Sequence, residues 1–238
     1  TPPLEPETTR RSPSGLRQTP GDLIVTRMAD PKFDRYLRAD AAIHALGLVL
    51  GVVGAAAILI VAARSSQPGQ VGPILVYVVG LLAMLGCSAA YNLCLASPRR
   101  EWLRRLDHAA IFVMIAGTYT PLTLLKLREP WSSGLTAVMW TAASLGIAAK
   151  FLQPRRIEQI SVVLYLLMGW IGLFAIDELL ASVERESLIL LLAGGVVYSL
   201  GTIFHLSSRL PYQQALWHAS VLVAASIHYA AILSLLTA

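Results

Sequence analysis

Apolar residues run in seven stretches along the chain, at approximately 41–63, 71–95, 105–126, 131–151, 159–177, 187–206 and 212–236. Each approaches the ~20 residues a helix needs to cross about 30 Å of hydrocarbon. The runs are parted by short polar connections, several of which carry helix breakers: Gln67-Pro68-Gly69, Ser97-Pro98, Glu129-Pro130, Gln153-Pro154 and Leu210-Pro211. The pattern predicts an all-α, seven-transmembrane helix bundle over residues 35–238. Residues 1–34, rich in Pro, Ser, Thr and Arg, lack both apolar periodicity and an apolar signal-peptide core, and are expected to form a disordered polar tail. Within it, Met28 opens MADPKFDRYLRAD, which reads as a natural start as readily as an internal residue of a real tail.

Composition agrees with a membrane body. Of 238 residues, 55% are hydrophobic and 14% charged, against ~25% charged in ordinary soluble domains. Thirteen of the 33 charges fall in the first 40 residues. The 19 Lys/Arg against 14 Asp/Glu do not point to nucleic acid, because the positives after the tail form short clusters between apolar runs. Counted by side, the tail, the Arg99/Arg100/Arg104/Arg105 cluster, the Lys150/Arg155/Arg156 cluster and Arg209 hold 15 Lys/Arg; the opposite side has Arg64, Lys126, Arg128 and Arg185. The positive-inside rule therefore predicts a cytoplasmic N-terminus and an outside C-terminus. Cys87 and Cys94, seven residues apart on one helix, lie about 10 Å apart along its axis and cannot bridge.

Ionisable groups inside a span cost at least a few kcal/mol each and mark the places to look for function. With this orientation Asp40, His44, Asp107, His108, His205 and His218 fall in the cytoplasmic third, joined by Ser88, Asn92 and Gln214. One polar cluster is predicted there. Asp40/His44, Ser88/Asn92 and Gln214/His218 are i, i+4 pairs, each placing two polar groups on one helix face, where they can hold a metal, a water or a proton. Structural roles compete. Asp40 and Asp107 precede apolar runs and also fit N-caps; His108 and His205 fit the headgroup level; Asn92 and Gln214 fit interhelical hydrogen bonding. His228, about 15 Å deeper than His218 along the last helix, reads as a satisfied buried imidazole. Gly47/Gly51/Ala55, Gly169/Gly172 and Gly194/Gly195 suit close helix packing, and Pro121 is expected to kink the third helix.

Arg104-Arg105-Leu106-Asp107-His108-Ala109-Ala110-Ile111-Phe112, with Ala116-Gly117-Thr118-Tyr119-Thr120-Pro121, resembles the signature of the bacterial haemolysin III proteins. These are relatives of the progestin and adipoQ receptors, which include the adiponectin receptors. The resemblance continues in Gly194-Gly195-Val196-Val197-Tyr198 and from Leu210-Pro211-Tyr212 to Trp217-His218. It implies seven helices, a cytoplasmic N-terminus and a zinc site. In the adiponectin receptor branch, a Ser-x-x-x-His on helix two and a His-x-x-x-His on helix seven supply three histidines, and an Asp on helix three holds the zinc-bound water; related ceramidases hydrolyse lipid amides with such a site. Carried over, those positions are Ser88, Asn92, Asp107, Gln214 and His218, so two of the three ligand positions hold carboxamides. The family's N-terminal element, an Asn four residues before a His, appears as Asp40 and His44.

Amide oxygens are poor zinc ligands, so a site with three histidine ligands cannot be assembled at these positions. A rearranged set drawn from His218, His44, His108 and Asp107 or Asp40 stays chemically open. Without a metal, lipid amide hydrolysis lacks its nucleophile, and a Ser88 nucleophile would have neither an elbow nor an oxyanion hole. The expectation is thus a non-enzymatic integral protein of the bacterial inner membrane, with membrane lipids as partners and no cofactor. Its role would lie in membrane homeostasis, or in sensing lipid or protons through Asp107, His44 and His218. The alternatives are a zinc-dependent lipid amide hydrolase with a rearranged site, with His218 as one ligand, and a cytolysin or ion-conducting protein. Against the last, helices four and five carry no ionisable residue in mid-span.

Overall fold

The first helix starts earlier than its apolar run. In the computed structural model, which describes residues 31–237 except 66, 68, 96 and 208, and only the backbone of 31–33 and 154–159, α1 runs Pro31–Arg64. Pro31 occupies its first position, where a missing N–H costs nothing. The tail expected over residues 1–30, with Met28, lies outside the described residues; residues 31–34, expected in that tail, are helical. The remaining helices are α2 (Val71–Leu93), α3 (Arg100–Lys126), α4 (Trp131–Leu152), α5 (Pro154–Trp170), α6 (Ile176–Ser182), α7 (Arg185–Leu206) and α8 (Gln213–Thr237). No strand occurs among the described residues. Seven helical segments are long and apolar enough to cross a membrane, α5 and α6 together forming the fifth.

Differences from the predicted runs have local causes. α3 begins at Arg100 because Glu101 ties its first turns together, accepting from Arg104 at 2.9 Å and Arg105 at 3.1 Å. These charged turns contribute nothing to an apolar run, yet i, i+3 and i, i+4 ion pairs support helix. Pro121 sits inside α3, which continues as helix to Lys126. The fifth span is interrupted by a 3₁₀ turn, Ile171–Ala175, beside Gly169 and Gly172. There the Tyr119 hydroxyl donates to the Gly169 carbonyl at 2.8 Å and accepts from the Gly172 N–H at 3.0 Å, covering backbone groups that the break would otherwise leave bare.

α3 is the hub. Its span is 61% buried, more than any other, and it packs on α2, α4, α5 and α8. α2 and α3 approach closely at Gly80 and Gly117, where an added Cβ would stand 3.2 Å from the Val113 carbonyl and 3.3 Å from the Val76 carbonyl respectively. Small residues at crossings are the ordinary solution where lipid offers no hydrophobic drive. Interhelical hydrogen bonds finish the α3–α4 seam: Trp140 Nε1 donates to Thr120 Oγ1 at 3.0 Å, and Thr123 and Thr136 hydroxyls meet at 2.6 Å. Large apolar side chains such as Leu145, Leu167, Phe174 and Ile203 are more than half exposed. Such a surface is a liability in water and the expected one against acyl chains. The chain is a multi-pass membrane protein.

Gly194 meets a tighter demand. A Cβ there would lie 2.2 Å from His228 Cδ2, whereas one on neighbouring Gly195 would sit at an ordinary 3.6 Å from Trp170. Gly194→Ala is therefore expected to destabilise the protein by about 1–3 kcal/mol through overpacking, lowering its melting temperature in detergent. Gly195→Ala should be close to neutral in the same measurement.

Candidate functional site

Asp40 and Asp107 are not helix caps: each lies well inside its helix, α1 and α3, so the N-cap reading of both is replaced by a position facing other helices. Asp40 is 4% exposed and accepts from His218 Nδ1 of α8 at 2.6 Å. One helical turn on, His44 is equally buried, its ring 4.4 Å from that of His218 between centroids. His44 Nε2 is 3.5 Å from Asp40 Oδ2 but makes no hydrogen bond, leaving a buried polar atom unpartnered. One ligand atom each from Asp40, His44 and His218 all lie within 4.8 Å of one another. The i, i+4 spacing in α1 and the start of α8 thus converge as one carboxylate and two imidazoles.

The carboxamides form a separate layer. Asn92 Nδ2 donates back to the Ser88 carbonyl at 3.0 Å and lies 3.4 Å from the Ser88 hydroxyl. Gln214 Nε2 reaches Asn92 Oδ1 at 3.5 Å, linking α8 to α2. The Asp107 carboxyl is in hydrogen-bonding reach of Ser88. Zinc does not fit the positions that the resemblance assigns. Of the donors at Asn92, Gln214 and His218, two are neutral amides turned to one another, which leaves one imidazole. No catalytic step through zinc follows from them.

Sequence reasoning grouped His108 with this cluster and counted Lys150 among loop charges. Lys150 instead lies within α4, 2% exposed, with its Nζ 3.1 Å from His108 Nδ1. Tyr165 of α5 donates to the His108 carbonyl at 2.8 Å. His108 thus has polar partners on α4 and α5. The available signal was that Phe151 and Leu152 prolong the apolar run beyond Lys150. His205 is exposed and stands against Trp217, ring centroids 4.9 Å apart. His228 donates from Nε2 to the Leu191 carbonyl at 3.1 Å, a satisfied buried imidazole beside Gly194.

With this geometry in view, comparison with known proteins is informative. The sequence pattern described as haemolysin-III related matches residues 38–229. The chain belongs to the haemolysin III family. It is similar to Hemolysin-3 of Bacillus cereus, 36% identical over 199 residues covering 83% of this chain and 90% of that protein. The Hemolysin-3 homolog of Bacillus subtilis (strain 168) is 32% identical over 184 residues, 77% of this chain and 86% of that protein. More distantly, the human monocyte to macrophage differentiation factor is 28% identical over 165 residues, 66% of this chain and 67% of that protein. The haemolysin III match begins at Arg38, so it includes Asp40 and His44 as well as the layer around Asn92 and His218.

Truncating Asp40 strips a buried imidazole N–H of its acceptor. Asp40→Ala is expected to lower stability by about 1–3 kcal/mol. Glu101→Ala, which removes ion pairs on an exposed helix face, should cost less than about 1 kcal/mol. Thermal unfolding of both variants in one detergent reads the difference.

Proposed function

We propose that this haemolysin III protein is a non-enzymatic, multi-pass protein of the bacterial inner membrane with its N-terminus in the cytoplasm. Its polar cluster contributes to membrane homeostasis, sensing lipid or protons through Asp107, His44 and His218 near the cytoplasmic face. The observation that carries the non-enzymatic reading is the pairing of Gln214 with Asn92. Where hydrolytic relatives in the wider family need imidazoles to charge a metal-bound water, this chain has amides bonded to each other, and nothing there lowers the pKa of a water. Orientation rests on the distribution of Lys/Arg. Lys150, being buried, drops out of that count, yet the remaining clusters keep the same asymmetry.

A lipid amide hydrolase with a rearranged metal site is the second reading, favoured by the approach of Asp40, His44 and His218. The test is incubation of the purified chain in lipid nanodiscs with a fluorescent ceramide, with and without added Zn²⁺. No fatty acid release above protein-free discs is expected; release that disappears in His218→Ala would overturn the non-enzymatic reading in favour of the hydrolase. For topology, alkaline phosphatase fused after Ala238 is expected to be active and green fluorescent protein at the same point dark. The reverse would invert the orientation.

A further inference from the structure

We propose that Asp40, His44 and His218 form a binding site for a divalent transition-metal ion of the zinc class, joining the first helix of the bundle to the last. This rests on reading the polar cluster as the functional site, but not on the absence of hydrolysis. The site is displaced from the positions that carry ligands in the adiponectin receptor branch: it shares His218 with them and takes its other two ligands from α1.

Three observations converge. The donor set is two imidazoles and one carboxylate, which suits zinc and its neighbours, whereas calcium and magnesium prefer oxygen ligands throughout. The donors sit at metal-site spacing. With bonds of about 2.0–2.2 Å, tetrahedral ligand atoms stand about 3.4 Å apart; Asp40 Oδ2 and His44 Nε2 are already 3.5 Å apart. Finally, His44 Nε2 has no hydrogen-bond partner although its side chain is only 5% exposed. An unpaired buried polar atom costs about 1–3 kcal/mol, and a cation between His44 and Asp40 removes that cost.

Metal entry requires one bond to change. His218 Nδ1 now donates to Asp40 Oδ1 at 2.6 Å, closer than two ligands of one ion can lie. The ion takes the place of that proton. The Nδ1 hydrogen moves to Nε2 through solvent, the freed Nδ1 lone pair turns to the cation, and the Asp40 oxygen opens from the imidazole by somewhat under an ångström. Loading would fasten α1 to α8 by coordination at the level of the His218–Asp40 hydrogen bond, in addition to the donation of the Tyr229 hydroxyl to the Gly54 carbonyl at 2.9 Å.

The test uses the full chain, purified in detergent, stripped with chelator and titrated with Co²⁺, whose visible absorption reports ligand geometry, followed by displacement with Zn²⁺ and elemental analysis. One ion per chain is expected. His44→Ala and Asp40→Asn should each weaken binding by on the order of 10–100-fold or more, since even supporting residues of metal sites carry that much. Asn92→Ala and Gln214→Ala should leave affinity unchanged. Unaltered circular dichroism and elution volume in each variant separate ligand loss from misfolding. Failure of the parent chain to bind Co²⁺ or Zn²⁺ overturns the proposal, as does binding that survives His44→Ala but is lost in Gln214→Ala. Metal stoichiometry decides this site, while lipid amide release decides the non-enzymatic reading, so either can fail alone.

Discussion

In hydrocarbon, every polar atom of the chain must be satisfied by the chain itself, and the shortest polar contact between the ends of this bundle, Asp40 to His218, is the bond on which that rule bears hardest. A carboxylate on α1 cannot be left bare in such a medium, so α8 must present its histidine there, which sets the rotation of both helices. Around it the same constraint recurs in milder forms. Thr118, Thr120 and Thr123 return their hydroxyls to carbonyls one turn back. Tyr119 covers the broken fifth span, and Gly194 gives up a side chain so that His228 can reach Leu191. Placement of polar atoms, more than shape of apolar ones, specifies how these uniformly greasy helices face one another.

Beside the Asp40–His218 pair the helices are joined by a layer of carboxamides. Asn92 and Gln214 pair with each other, and Asn92 donates back to Ser88, forming a hydrogen-bonded strap between α2 and α8. Asp40 and His44 meanwhile place a carboxylate and an imidazole one turn apart on the first helix. His218 of α8 meets that pair, so polar groups join α8 to both α1 and α2.

The seven helices were legible because hydrophobic length is a direct physical requirement of the bilayer, and the observed bounds differ from the apolar runs mainly where charged turns extend them, as at Arg100–Arg105. The convergence of Asp40, His44 and His218 was legible only to the level of depth. Spacing placed each residue at the same end of the bundle, but which faces meet depends on helix rotation, and helices apolar all round carry little signal for it. The same limit hid the partners of His108, whose ring meets Lys150 of α4 and whose carbonyl accepts from Tyr165 of α5. It is also why Lys150 read as a loop cation: a lysine two residues from a helix end is apolar-flanked in either setting. The 3₁₀ break left only its glycines as a trace.

The most direct measurement is a double-mutant cycle on Asp40 and His218, each replaced by Ala singly and together, with unfolding followed in one detergent without added metal. If the bond between them fastens the first helix to the last, the two losses overlap and the coupling amounts to about 1 kcal/mol or more. Losses that add to within about 0.5 kcal/mol would show that the two residues act independently, and would contradict the role given to this contact.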